Sequence, residues 1–154
     1  MSKSNIETAQ ALTAEALGLN GDEWEVERCE FDVAREELSV FLNFTGQRST
    51  CGSCGRRECK VYDTQTAKQW RHLNFLHCRT MLRAASHRVS CPSCGVRAAQ
   101  LPWARQRSSY TLGFEYFVAR LLGANRLPLS AVASLVDEPY ARIRRLAAHY
   151  GKPS

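Results

Sequence analysis

The chain has 154 residues, 44% of them hydrophobic, which is long enough for one ordinary domain or two small ones and apolar enough to argue for folding rather than disorder. Its net charge of +6 is unevenly spread: residues 1–50 carry four basic and ten acidic side chains, and residues 51–154 carry seventeen and five. No run of about 18 apolar residues occurs and the opening "MSKSNIETAQ" has no apolar signal core, so the expectation is a cytoplasmic protein with no membrane partner, and no small-molecule substrate is expected either.

In chain order, Ile6, Ala9, Leu12 and Ala16 recur at helical spacing between Ser4 and Leu17, with Gly18 where a helix would stop. "WEVERCEFDV" and "LSVFLNF" then flank the turn-prone "AREE" and read as a β-hairpin. In the second run Leu38, Val40, Leu42 and Phe44 share one face. Further on, "WRHLNFLHCRTMLRAASHRVSC" reads as two strands broken near "AAS". Leu76, Cys78, Thr80 and Leu82 fall on one face of the first, and His77, Arg79, Met81 and Arg83 on the other.

Seven cysteines, an odd number, include two CxxC pairs, Cys51/Cys54 and Cys91/Cys94, with thirty-six residues between the pairs. Each pair is followed by a glycine, Gly55 or Gly95, which lets the chain turn tightly enough for both thiolates to face one ion. Two such knuckles supply the four sulfurs of a closed structural zinc site, one zinc per chain, and strands between them make the arrangement a zinc ribbon. Iron held by the same four sulfurs is the alternative metal. Cys59 or one of His72, His77 and His87 could replace a ligand. Against that, Cys29 and Cys78 read as small buried hydrophobes, and His77 and His87 as residues of a solvated or nucleic-acid-facing surface.

A connector, "GVRAAQLPWARQRSS", leads into three helical segments. In "TLGFEYFVARLL" the stripe is Phe114, Phe117, Val118, Leu121 and Leu122, with Ser109 or Thr111 as cap. In "LSAVASLV" it is Leu129, Val132, Ala133 and Val136. After "DEP", with Pro139 at the first helical position, Ile143, Leu146, Ala147 and Tyr150 point inward and Gly151 ends the third helix. Three short helices with a tight last connection have the outline of a helix-turn-helix, and the alternative is a small bundle used for dimerisation. Arg142, Arg144 and Arg145 lie off the last apolar stripe, free to reach phosphates or base edges of double-stranded DNA. Arg97, Arg105 and Arg107 would track the backbone between ribbon and helices, while Trp103 reads as a core or linker anchor.

The expected fold is therefore α+β: an N-terminal helix and acidic β-hairpin (1–48), a four-cysteine zinc ribbon (49–100), and a basic connector with a tri-helical helix-turn-helix (101–154). In order, "CGSCG", "WRHLNF", "HRVSCPSCGVR", "LPWAR", "YTLGFEYFVARLL" and "LSAVASLVDE" resemble the N-terminal portion of transposases of the ISL-three insertion-sequence family, over nearly the whole chain. The resemblance implies a zinc-binding region and a helix-turn-helix that recognise an element's terminal inverted repeats. It also implies a nuclease core with an acidic triad, for which this sequence offers, after Cys94, only Glu115, Asp137 and Glu138. The expectation is thus a DNA-binding protein without catalytic residues. The competing readings are a protein-interaction module that associates with itself or with an intact transposase, and an RNA-binding ribbon.

Overall fold

Two long strands organise the first part of the protein. A computed structural model describes residues 3–19, 23–124 and 126–151, and the chain divides into two units, Met1–Thr111 and Leu112–Ser154. The first unit contains α1 (Lys3–Ala16) and β1 (Trp24–Asp32), β2 (Glu37–Phe44), β3 (Arg48–Ser49), β4 (Cys59–Phe75), β5 (Cys78–Cys91) and β6 (Gly95–Ala98). The second contains α2 (Leu112–Gly123), α3 (Leu129–Val136) and α4 (Tyr140–His149).

The strands form one sheet in the order β1-β2-β5-β4-β3, and β6 also pairs with β5. β4 lies antiparallel along β5 from Lys60↔Ser90 to Phe75↔Cys78. The other side of β5 is shared: Arg79–Ala84 pairs in parallel with β2, and Arg88–Cys91 pairs antiparallel with β6. The hairpin and the ribbon, which the sequence reading put in separate segments, thus belong to one sheet.

The strand break expected near Ala84–Ser86 is not there. The chain reverses instead at Phe75–Cys78, where Leu76 takes a positive φ of 56° and is 80% exposed, and β5 runs unbroken to Cys91. Cys78, Thr80, Leu82 and Ala84 are buried, and Met81 of the alternate set is buried with them, but beyond these the buried set becomes His87, Val89 and Cys91. This change of phase faces a β-bulge in β4, between Thr64 and Ala67, where an extra residue re-aims the side chains that follow. One hairpin can therefore support two cores. At one end Leu19, Trp24, Val26, Val40, Leu42, Trp70, Leu82 and Trp103 cluster, and at the other Cys51, Cys59, Val89, Cys91 and Ala99 do.

Trp103 anchors the connector in the first core. It is 2% exposed, and Trp24 and Trp70 meet it edge-on at 4.6 and 5.4 Å between ring centroids, an arrangement worth about 0.5–1.5 kcal/mol per pair beyond area burial. Leu38 and Phe44 pack against the same cluster as Val40 and Leu42, as the alternation of β2 requires. α1 ends in a Schellman motif: Gly18 at φ 73° donates to Glu15 O and Leu19 donates to Ala14 O, which drives Leu19 into the core. The packed face of α1 is Ala14 and Leu17, not Leu12, which is 62% exposed, and the Ile6 and Ala9 side chains lie outside the described residues.

In the second unit the buried residues are Phe114, Glu115 and Val118 of α2, Val132, Ala133 and Val136 of α3, and Ile143, Leu146 and Ala147 of α4. Phe117, expected inside, is 42% exposed. Glu115 takes a fully buried place beside Phe114, with Tyr150 Oη donating to its carboxylate at 2.7 Å, so Tyr150 serves as a hydrogen-bond donor while staying 42% exposed. Asp137 caps α3 in the left-handed conformation, and Pro139 stands at the N-cap of α4 rather than at its first position.

Candidate metal centre and its basic surroundings

Two tight turns bring four sulfurs together. In the first knuckle the Gly55 N–H donates to Cys51 O and the Cys51 N–H to Arg56 O, both at 2.9 Å. Gly55 and Gly95 have φ of 76° and 78°, and an added Cβ at either would meet nothing within 4 Å. The glycines are therefore required by backbone conformation, not by crowding.

The Sγ atoms of Cys51, Cys54, Cys91 and Cys94 all lie within 4.8 Å of one another, and Cys54 and Cys91 approach to 3.6 Å. A tetrahedral zinc with bonds of about 2.3 Å to sulfur needs edges of about 3.8 Å, so the four residues fit that ion with little adjustment. Cys51 and Cys91 are buried and Cys54 is exposed, so the centre sits at the surface with one side sealed.

The protonation pattern agrees with a metal-ready set. Burial pushes the Cys91 thiol up, but the backbone N–H groups of Ser93 and Cys94 and the thiols of Cys54 and Cys51 outweigh it and bring the pKa down to about 6. The N–H groups of Cys54 and Ser53 lower Cys51 in the same way. Cys94 is pushed up, first by its hydrogen bond with Cys54 and then by burial, because adjacent thiols cannot all ionise without a cation.

Cys59 lies outside the quartet. It is 3% exposed and its thiol donates to Arg56 O at 3.4 Å, and burial raises its pKa, so it packs as a neutral thiol in the ribbon core. None of the histidines joins the sulfurs in that cluster. His72 is half-buried with Nδ1 2.7 Å from Thr111 Oγ1. His87, expected on the surface, is 3% exposed and stacks on Phe44 with ring centroids 4.2 Å apart. Cys78 is buried as expected, but Cys29 is exposed on β1.

The arginines singled out from sequence divide by surroundings. Arg97 is exposed on β6 and donates to Val96 O at 2.9 Å. Arg105 is half-buried, whereas Arg107 is exposed at a φ of 63°. Arg142, Arg144 and Arg145 are all exposed on α4. Arg142 Nη1 lies 3.4 Å from Glu138 Oε2, whose side chain is fully buried, while Arg144 and Arg145 line a shallow groove with Tyr140, Ala141 and Ala148. Tyr140, 49% exposed at the start of α4, joins this groove without a signal in the sequence that marks it. The acidic hairpin is engaged within itself, with Arg28 against Glu27 at 3.3 Å and Glu30 at 2.8 Å, and Asn43 Nδ2 donating to Glu25 at 3.2 Å.

Two family models match the chain. The zinc-finger of transposase IS204/IS1001/IS1096/IS1165 matches residues 47–94, and the helix-turn-helix domain of transposase family ISL3 matches residues 99–151. Two curated relatives, each a transposase for insertion sequence element IS1557, come from Mycobacterium tuberculosis strains CDC 1551 / Oshkosh and H37Rv. Each is 38% identical to this chain over 72 residues, 46% of this chain and 16% of the relative, so the match spans about one sixth of the relatives' length. No solved structure matches the chain significantly.

Proposed function

The chain carries the zinc ribbon and the helix-turn-helix of the ISL3 transposase family and belongs to it, and we propose on that basis that it binds double-stranded DNA at the terminal inverted repeats of an insertion element. The observation that carries the reading is the pairing of a four-sulfur centre with an exposed arginine face on the last helix, in one chain with a basic C-terminal two-thirds. Zinc in the centre supplies folding free energy, fixing the ribbon as a rigid body, and no reaction step is assigned to it because four thiolates leave no open position.

In this reading α2, α3 and α4 act as a tri-helical helix-turn-helix with α4 in the major groove. Arg144 and Arg145 reach base edges, Arg142 is held by Glu138 for a phosphate, and Arg97, Arg105 and Arg107 follow the backbone. The proposal concerns DNA binding alone, and among the described residues the one group of three or more metal-capable side chains is the cysteine quartet.

The test is a binding series on a terminal-repeat duplex against a shuffled duplex of equal length, at several salt concentrations. Preference for the repeat with a steep salt dependence supports the reading. Equal affinity for both duplexes, together with tight capture of an intact transposase, would favour the protein-interaction alternative, for which the acidic N-terminal third is the surface to consider, although Glu25, Glu27 and Glu30 already have partners in the hairpin.

A further inference from the structure

Arg48 and Lys60 stand directly opposite each other on β3 and β4, and both are exposed. Like charges in such a cross-strand pair repel, and a bound anion would relieve the repulsion. Neither residue has a carboxylate partner among the described residues. The polar contact of Arg48 is to a backbone oxygen, Glu58 O at 2.9 Å, which ties its side chain over the first knuckle. That knuckle adds Arg56 and Arg57, both exposed, so residues 48–60 present four cations against one acid, Glu58. Arg48 and Arg57 line one cleft of about 620 Å³ together with Ser49 and Thr50, and Glu23 and Glu58 line it too, so the cationic row extends outside that cleft through Arg56 and Lys60. On the other side of Lys60 the exposed Ser90 continues the row, carrying it about 10 Å across three strands.

We propose that Arg48, Arg56, Arg57 and Lys60 form a second nucleic-acid contact on the outside of the ribbon, one that grips the phosphate backbone of duplex DNA without reading its bases. This rests on the DNA-binding reading above and adds to it a division of labour: α4 selects the site, and the ribbon supplies affinity that is indifferent to sequence. Phosphate is the fitting ligand chemistry because the patch offers fork-shaped and point cations beside a hydroxyl, with the exposed amides of Gln47 and Gln100 at its margin.

The experiment uses the full zinc-loaded chain. In the first arm, acylation of Lys60 is followed by mass spectrometry with and without a mixed-sequence duplex. A several-fold protection that disappears at high salt is expected, and unchanged reactivity at saturating duplex overturns the proposal. In the second, Arg56→Gln/Arg57→Gln/Lys60→Gln is compared with the parent at equal zinc content. The slope of log affinity against log salt should fall by about 2–3 while the preference for one duplex over another stays the same, since each lost phosphate contact removes about 0.9 of slope. An unchanged slope overturns it. If the triple variant loses zinc, Lys60→Gln alone decides, with a slope expected to drop by about 1. Stronger Lys60 protection by single-stranded RNA than by duplex would also overturn the assignment. Arg144→Ala/Arg145→Ala separates the two readings: it should lose sequence preference and keep Lys60 protection. A variant that keeps both refutes the role of α4 and leaves the ribbon contact standing.

Discussion

The buried carboxylate of Glu138 holds the guanidinium of Arg142 one helical turn away, at 3.4 Å, so three arginines that look alike in sequence have two different roles. Arg142 is half-exposed but tethered, and its removal leaves a buried acid without that partner. Arg142→Ala should therefore lower the thermal stability of the helical unit by about 1–3 kcal/mol. Arg144→Ala and Arg145→Ala should leave the melting temperature within the narrow range of ordinary surface changes. Calorimetric scans of the three variants check this, and equal destabilisation by all three would refute the distinction.

The zinc prediction is set by the sulfur geometry. Cys51→Ser and Cys94→Ser should lose the metal and the ribbon's structure with it, and Cys29→Ser and Cys59→Ser should each retain about one zinc per chain. Metal analysis of the purified variants decides. An empty site in Cys29→Ser or Cys59→Ser would mean that the ligand set is misassigned.

Trp103 tests whether the connector is part of the first core. Trp103→Ala should cost about 3–5 kcal/mol, because a side chain 2% exposed between Trp24 and Trp70 leaves a cavity that its neighbours cannot fill. Leu82→Ala, fully buried in the same cluster, should cost about 2–5 kcal/mol. Denaturant titration measures both, and a loss under 1 kcal/mol for Trp103→Ala would place it at the surface instead.

His87 gives a pH dependence with a definite sign. Burial depresses its pKa below the ordinary histidine value, and neither ring nitrogen has a hydrogen-bond partner among the described residues. Burial, with Arg71 beside it, depresses His72 as well. The unfolded chain binds these protons more readily than the folded one, so the stability contributed is full above a pH of about 6.5 and falls as the solution is acidified below it. His87→Phe, which keeps the stack on Phe44, should flatten part of that fall between neutral and mildly acid pH. Melting curves of both proteins at matched zinc content give the answer, and parallel curves would mean that His87 does not titrate in this way.

What the sequence disclosed follows from how local each feature is. The knuckles are legible because CxxCG fixes ligand spacing and backbone handedness within five residues, and Gly55 and Gly95 adopt the conformations this demands. The helices of the second unit are legible because their apolar spacing is local too, yet Phe117 and Glu115 exchange the places expected of them. The Tyr150 hydroxyl that makes a buried carboxylate tolerable comes from 35 residues away. The parallel pairing of β2 with β5 joins Glu37 to Arg79 and leaves no periodic mark in either strand. His87 is illegible for a related reason: its flanking residues are the polar Ser86 and Arg88, but the buried side of β5 changes beyond Ala84, opposite a bulge in β4, and no local pattern marks that change.

Arg144 and Arg145 carry the central claim, because they are exposed on the last helix, line one groove with Tyr140, and lie apart from the buried residues that hold the unit together. The most direct measurement is the affinity of Arg144→Ala/Arg145→Ala for a terminal-repeat duplex relative to a shuffled duplex, at equal zinc content and equal salt. The account predicts that the parent prefers the repeat and that the variant loses about 1–3 kcal/mol of that preference for each base pair read bidentately, while its affinity for the shuffled duplex changes little. A variant that keeps the parent's full preference would contradict it.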